Sequence, residues 1–458
     1  MSESLRSVGL DVGTTSTQMV LSELTVENRA GAFAVPEMEI AQRKILYKSP
    51  VHFTPLLSGD LVDADALRKI VDAEYDKAGI RKSDVDTGAI IITGETSRKE
   101  NAQAVLAALS EYAGDFVVAA AGPDLESVLA AKGAGAVEYS RKTGKTVLHM
   151  DIGGGTSNLA LIEDGKITAT GCLNVGGRLL KIGADGVLTY VSPVLQGLFS
   201  KQVGESVSRD EVVELSETLV QALEMAAGLR EEAPLLYLLM TKEIATPVCA
   251  LVRNDIKSKG DMVISFSGGV ADCIEQERPW LAFGDLGPEL GRAIRESRLC
   301  RGEYVLGTET IRATVIGAGC HSAQLSGSTV FCQNVKLPLK NLPVVEVGEA
   351  DTTAEILRKM QMQDMHPVLA MKGTPSPGYW QVAELAEKLV RCIRGPAYLA
   401  LEADMAKALG QQLALRLGKD AEILCIDRVK LGEGSFLDVG APVGPALPVV
   451  VKTLILNR

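Results

Sequence analysis

Apolar positions along the chain follow two rhythms. "SVGLDVGTTSTQMVLSEL" (7–24) is an apolar run, a break at small polar residues and a second apolar run, which predicts strand, tight turn, strand. In "DADALRKIVDAEYDKAGI" (63–80) apolar residues recur every three or four positions, which predicts a helix. "TGAIIITGETSRKENAQAVLAALSEY" (87–112) reads as a buried strand running into a helix, and "DFVVAAAG" (115–122) as another buried strand. "PDLESVLAAKGAGAVEY" (123–139) is a helix with Pro123 at its first position, where no N–H is needed. "KTVLHMDIGGGTSNLALIEDGKITAT" (145–170) is strand, turn, strand again, with a hairpin turn at Glu163-Asp164-Gly165-Lys166. The segment 177–262 is mainly helical in pattern, most clearly over 209–229. A buried strand then ends in Gly-Gly before a helix (262–276), and a small-residue helix covers 312–327. Beyond a boundary near 330, prolines punctuate short elements until an amphipathic helix at 400–417.

One unit occurs twice. "VGLDVGTTSTQMVLS" (8–22) and "LHMDIGGGTSNLALI" (148–162) align on Asp11 and Asp151 as apolar strand, Asp, Gly, small residues and apolar strand. One such turn alone is an ordinary hairpin with permissive glycines. Two facing each other present two glycine turns to one ligand. Glycines let backbone N–H groups point into a concave nest that suits phosphate, and threonine hydroxyls add donors. The candidate cradle is Gly13, Thr14, Thr15, Gly153, Gly154, Gly155 and Thr156. An aspartate at the strand end would repel phosphate, unless Mg²⁺ lies between, usually through water. Asp11 and Asp151 are therefore the candidate metal-sphere carboxylates. A third feature, "FSGGVAD" (266–272), ends a strand at Ser267, Gly268 and Gly269, where a flat ring or a sugar can approach closely.

Composition narrows the classes. The chain has 458 residues, enough for two to four domains. A net charge of −11 and a pI near 5.1 disfavour nucleic acid and anionic membranes, and aromatics at 4% leave few stacking platforms for bases. No apolar run approaches a membrane span, and "MSESLRSVGLDVG" lacks a signal-peptide layout, so a cytoplasmic location is expected. The eight cysteines form no CxxC pair, which predicts buried thiols rather than a zinc site or a disulfide framework. The four histidines have no metal-ligand spacing, so structural roles are expected. "TGKT" (143–146) is not a P-loop, because Tyr139 stands where the first glycine would be.

The order of two Asp-Gly hairpins, a Gly-Gly strand end and the helix "VIGAGCHSAQLSG" resembles the ATPase superfamily of actin, the Hsp70 chaperones and sugar kinases. The resemblance implies an α/β protein with two actin/Hsp70-like, ribonuclease H-like lobes, 1–145 and 146–330, with ATP and Mg²⁺ in the cleft between them. An extra C-terminal α/β domain, 331–458, would be attached. In that superfamily two small-residue helices connect the lobes, matched here by "PDLESVLAAKGAGAVEY" and "VIGAGCHSAQLSG". The chain also resembles, end to end, the ethanolamine ammonia-lyase reactivating factors. That likeness rests on "VGLDVGTTSTQMVLS", "ITGETSRKENA", "HMDIGGGTSNLALIEDGKI", "SFSGGVADCI" and "FLDVGAPVGPALPVVVKTLIL". It implies an ATP-dependent reactivase, a chaperone in ethanolamine utilisation whose partner is ethanolamine ammonia-lyase. The reactivase releases damaged cobalamin so that intact adenosylcobalamin enters, and need not bind the cobalamin itself. Association with a bacterial microcompartment would fit, and a homodimer is expected, with 331–458 serving partner docking or dimerisation.

One departure stands out. Actin and Hsp70 relatives carry an acidic residue before the proline that opens the first connecting helix, where it helps position the attacking water. Here that pair is Gly122-Pro123. Asp124, Glu126 and Glu95 are near in sequence, and Glu95 and Glu126 join Asp11 and Asp151 as catalytic candidates. Two rivals share the superfamily: a small-molecule kinase, which needs a strong general base, and a filament-forming ATPase.

Overall fold

The computed structural model describes residues 3–13, 16–28, 38–58, 61–92, 105, 108–109, 112, 123–240, 262–307, 309–321, 324–326, 329–361, 366–429, 431, 435–440, 442 and 447–453. The expected strand at 115–122, together with Thr14, Thr15, Glu95 and Gly122, lies outside the described residues.

The first repeat opens a sheet. β1 (Glu3–Val12) runs antiparallel to β2 (Ser16–Asn28), which pairs antiparallel with both β3 (Met38–Lys48) and β4 (His52–Phe53). A small hairpin, β5 (Leu56–Ser58) with β6 (Leu61–Val62), leads to α1 (Ala64–Ala78). The α1 boundaries are those its sequence demands. Asp63 caps its start by accepting from the Ala66 N–H at 2.9 Å, and Gly79 ends it with φ 67°, a left-handed turn that costs glycine nothing. β7 (Thr87–Ile92) then joins β1 in parallel. Strand alternation splits the apolar residues between two faces. Val8, Leu10 and Val12 pack with Leu67, Val71 and Tyr75 of α1, while Leu5, Ala89 and Ile91 on the opposite face meet Leu129 and Ala318 from later helices.

The second repeat builds the same sheet again. β8 (Val147–Ile152), β9 (Ser157–Glu163) and β10 (Lys166–Leu173) form an antiparallel meander, turned at Asp164 and Gly165, both at positive φ. Two helices, α2 (Pro123–Gly133) and α3 (Ala136–Thr143), lead into β8, and after a two-stranded ribbon, β11 (Leu180–Ile182) and β12 (Leu188–Val191), come α4 (Arg209–Ala226) and α5 (Pro234–Leu239). β13 (Val263–Ser267) and β14 (Tyr304–Leu306) extend β8 in parallel, with α6 (Asp272–Glu275) and α7 (Gly287–Glu296) between them. Leu148, Met150 and Ile152 face a large core with α4 and α7, while Val147, Ala160 and Val263 face Ala131 and Ala136.

Several of the expected elements differ. The pattern of 177–262 was expected to be mainly helical, yet 180–191 holds a ribbon and Pro193–Leu195 one 3₁₀ turn. Its short apolar runs are broken by Gly183 and Gly186, and Gly186 sits at φ 78°. The expected single helix over 123–139 is two, because Gly135 at φ 82° ends one run and starts the next.

The connecting helices exchange sheets. α2 leaves the first sheet and packs on β8, β9 and β10; α8 (Ala313–His321) leaves the second and packs on β1, β2 and β7. The two cross backbone against backbone. A Cβ on Gly133 would lie 1.9 Å from the Ala313 carbonyl oxygen, and one on Gly317 would lie 2.0 Å from that of Leu129. Only glycine permits that approach.

The rest of the chain forms a third, eight-stranded sheet. Its strands are β15 (Gln324–Leu325), β16 (Phe331–Gln333), β17 (Leu339–Glu346), β18 (Val368–Met371), β19 (Ala397–Leu401), β20 (Ile423–Ile426), β21 (Ser435–Val439) and β22 (Pro448–Thr453), in the order β15-β22-β21-β17-β18-β19-β20-β16. The β17–β20 run is parallel and is crossed by α9 (Thr353–Gln361), α10 (Tyr379–Val390) and α11 (Ala406–Leu417). The apolar segment 397–401 belongs to β19, so the last amphipathic helix starts later than its pattern suggests.

Candidate functional site

The two repeats fold alike, position for position. Asp11 pairs with Gln18 and Val12 with Thr17; Asp151 pairs with Asn158 and Ile152 with Ser157. In each turn the glycine N–H donates back across the hairpin, from Gly13 to the Ser16 carbonyl at 2.8 Å and from Gly153 to the Thr156 carbonyl at 2.9 Å. Both aspartates lie on the sheet face covered by the connecting helices.

Each turn has its own support. Thr54 donates to the Gly13 carbonyl at 2.7 Å and lies 3.0 Å from the Thr17 hydroxyl. The second turn rests on 176–178: the Gly177 N–H donates to the Gly153 carbonyl at 3.0 Å and the Arg178 N–H to the Gly154 carbonyl at 2.6 Å. A Cβ on Gly176 would stand 2.4 Å from the Gly154 oxygen, so this second Gly-Gly pair is a packing requirement. A Cβ on Gly155, by contrast, meets nothing within 4 Å. The Gly153–Gly155 turn is thus backed by protein on one side and open at Gly155.

The third motif meets the second turn. Gly268, at φ 87°, lies so close to β8 that a Cβ there would sit 2.3 Å from the Ile152 carbonyl oxygen. Its N–H donates to the Thr310 carbonyl at 3.0 Å, while Gly269 stays open. Ser267, the parallel partner of Asp151, donates its hydroxyl to Asp151 Oδ1. Thr314 of α8 makes a longer contact, 3.4 Å, with Asp151 Oδ2. Burial pushes the Asp151 carboxyl up to about 6, against a smaller opposing pull from these two hydroxyls.

Residues 310–314 touch both repeats. Thr314 meets Asp151 of the second while Thr310 meets the Gly268 turn beside it, and the Ile311 carbonyl accepts from Gln18 Nε2 at 3.2 Å in the first. Arg312 donates to the Ser49 carbonyl at 3.1 Å, while its Nε–H is buried with no partner among the described residues. The sequence pattern did not single out Arg312 or Gly176-Gly177. The glycine doublet was visible, but nothing local said which backbone it would meet.

Of the four carboxylates expected to act, Asp11 and Asp151 occupy equivalent strand ends. Glu126 of α2 is buried and accepts from Asn158 Nδ2 at 2.8 Å, one residue pair across the sheet from Asp151. Glu95 lies outside the described residues. His149 is fully buried, with Nδ1 3.0 Å from Ser265 Oγ and Nε2 3.0 Å from Ser267 Oγ; burial pushes it down to about 3, so the ring is neutral.

The residues fit a hydrated magnesium ion. Beside each aspartate stands an amide whose oxygen, Gln18 Oε1 or Asn158 Oδ1, is buried with no partner among the described residues. Both are hard oxygens of the kind that receive magnesium-bound water. Among the described residues no group of three or more His, Cys, Asp or Glu could hold a metal outright. The cysteines described are all free, and no described helix is long and apolar enough to cross a membrane.

Two sheets of one topology, each opened by an Asp-Gly hairpin and capped by helices that swap lobes, define the two-lobed actin/Hsp70-like ATPase fold. Within that class, the chain belongs to the family of the ethanolamine utilisation protein EutA, whose model matches residues 3–457. It is 37% identical to the ethanolamine ammonia-lyase reactivase EutA of Salmonella typhimurium (strain LT2), over 98% of each chain. The reactivase of the same name from Escherichia coli (strain K12) is likewise 37% identical over 98% of each chain. Among solved structures, the ethanolamine utilization protein EutJ of Carboxydothermus hydrogenoformans is 19% identical and covers 69% of this chain and 89% of its own, at a TM-score of 0.31. MreB 5 of Spiroplasma citri bound to AMPPNP is 14% identical and covers 69% and 95%, at 0.36.

Proposed function

We propose that this protein is an ATP-dependent reactivase of adenosylcobalamin-dependent ethanolamine ammonia-lyase, releasing damaged cobalamin so that intact cofactor can bind. The observation that carries the reading is the end-to-end likeness to two curated reactivases, 37% over 98% of the chain, joined to the paired Asp-Gly turns. Lobes 1–145 and 146–330 would close on ATP, with 331–458 as an accessory domain. The turn at Gly153, with the N–H groups of Gly154 and Gly155, the turn at Gly13, Thr14, Thr15 and the hydroxyl of Thr156, would hold the phosphates. Ser267, Gly268 and Gly269 would border the adenosine. Asp11 and Asp151 would hold magnesium through water, and the ion would neutralise charge on the phosphates.

Positioning and charge neutralisation carry most of such a hydrolysis. Glu126, anchored by Asn158, or Glu95 would orient the attacking water. The γ-phosphate would tie the two hairpins together, and its loss would release the lobes about the crossing of α2 and α8. A lyase that binds the two lobe arrangements differently would be driven by that release. The protein would act in the cytoplasm, as a homodimer, beside the lyase or within a microcompartment. The test is phosphate release from ATP, with and without the lyase. Free phosphate, stimulated by the lyase, with no rise in light scattering, is expected. Phosphate appearing on a small molecule, or nucleotide-dependent polymer, would replace this reading with a kinase or a filament.

A further inference from the structure

Beneath the second glycine turn runs a closed chain of polar side chains. Its register is set by the parallel pairing of β8 with β13, which places Ser265 beside His149 and Ser267 beside Asp151. His149, Ser265 and Ser267 are each at most 1% exposed. The contacts run Ser265 Oγ to His149 Nδ1 at 3.0 Å, His149 Nε2 to Ser267 Oγ at 3.0 Å, then the Ser267 hydroxyl to Asp151 Oδ1. Both ring nitrogens are engaged, and among the described residues the ring has no other hydrogen-bond partner.

The direction of each bond follows from donor inventory. An ionised carboxylate only accepts, so the Ser267 hydroxyl must donate to Asp151. Ser267 has one proton, now committed, so its oxygen must accept from His149 Nε2–H. A neutral imidazole with its proton on Nε2 has a bare Nδ1, which must accept from Ser265. With Asp151 ionised and the ring neutral, only this one arrangement satisfies all three bonds. An apolar residue would fill the position without burying a polar ring. A buried imidazole is tolerated here because both nitrogens are bonded, and its effect passes through Ser267 to one carboxylate oxygen.

We infer that His149 is a positioning residue for Asp151. Through Ser267 it locks the carboxylate rotamer, engages Oδ1 and leaves Oδ2, which among the described residues has only the long Thr314 contact, for magnesium-bound water. This rests on the reading of Asp151 as a metal-sphere carboxylate given above. A histidine held neutral in one tautomer is acting as an orienting group, as outer partners of metal ligands commonly do.

The test has two arms on the full-length protein. First, ¹⁵N NMR of histidine-labelled protein without ligand, at pH 8, reads the tautomer directly; the chain has 4 histidines, and the His149 signal is assigned by its loss in His149→Gln. A neutral ring protonated at Nε2 is expected. A proton on Nδ1, or an imidazolium, overturns the inference. Second, binding of a fluorescent ATP analogue (mant-ATP) is titrated with Mg²⁺. His149→Leu is expected to raise the Mg²⁺ requirement about tenfold, the low end for such outer partners. His149→Gln, which keeps a donor, is expected to restore most of it. Ser267→Ala and the Ser267→Ala/His149→Leu pair are expected to match each other, because His149 acts only through Ser267.

Additive losses in that pair would mean simple core damage and overturn the inference. Wild-type Mg²⁺ dependence in His149→Leu, with Asp151→Ala impaired, would overturn it alone. If Asp151→Ala binds Mg²⁺ and nucleotide as the wild type does, the site reading falls, and this inference with it.

Discussion

Gly155→Ala separates packing from ligand binding at the second turn. An added Cβ at Gly155 meets no protein atom within 4 Å, and its φ is outside the left-handed region. The ligand-free fold should therefore keep its stability, or gain about 0.4–1 kcal/mol because alanine narrows the unfolded ensemble. The methyl instead enters the open side of the turn, where the phosphate is proposed to lie. Losing one backbone hydrogen bond to a charged group costs about 1.5–3 kcal/mol. That is a fall in ATP affinity of roughly 10- to 150-fold. Gly176→Ala is the converse control. Its Cβ would stand 2.4 Å from the Gly154 oxygen. That is roughly 1 Å inside ordinary contact, and overpacking of this kind costs about 1–3 kcal/mol. The assay pairs ligand-free thermal melting with calorimetric titration of ATP and Mg²⁺. Gly155→Ala should melt like the wild type and bind poorly; Gly176→Ala should melt early. Wild-type ATP affinity in Gly155→Ala would refute the phosphate cradle, and early melting in that variant would refute the geometry.

Three other outcomes follow from the same structure. Asp151 has its carboxyl raised to about 6 by burial, above its unfolded value, so the folded state favours the neutral form. Its contribution is most favourable below about pH 4 and is lost as pH rises to about 6, by about 3 kcal/mol. Asp151→Asn should then raise the ligand-free melting temperature at pH 8 in EDTA, and raise it much less at pH 5. Gly317→Ala forces a Cβ to within 2.0 Å of the Leu129 carbonyl oxygen unless α2 and α8 separate; a loss of about 3 kcal/mol or more in denaturant unfolding is expected, at the upper end of overpacking costs. Glu126→Gln preserves size and the Asn158 neighbour, so nucleotide affinity should stay put while steady-state phosphate release falls by about a hundredfold or more, within the range for a lost general base.

The parts legible in the sequence are those set by local chemistry. Asp63 and Gly79 mark α1 because a side-chain oxygen and a left-handed glycine are what helix ends need. The hairpins at Asp11 and Asp151 were visible because the repeat is carried by residue type and frame, and the strands pair in that frame. The ribbon at 180–191 was not, since its short apolar runs acquire strand pairing only from each other and from a neighbouring loop. The break between α2 and α3 hid behind helix-like spacing, although Gly133 and Gly135 were there to see. Gly176-Gly177, Arg312 and the Ser265–His149–Ser267 chain depend on backbone or side chains far off in sequence, which no periodicity encodes. His149 was expected to be structural, and its buried, doubly bonded ring fits that; what it touches could be learned only from the register of β8 with β13.

The most direct test of the account is cobalamin exchange. Ethanolamine ammonia-lyase blocked with cyanocobalamin is mixed with this protein, adenosylcobalamin, Mg²⁺ and ATP, and recovered lyase activity is followed, with Asp151→Ala and a no-ATP control alongside. Recovery that requires both ATP and Asp151 is predicted. No recovery from protein that is folded and hydrolysing ATP would contradict the reactivase reading while leaving the nucleotide site in place.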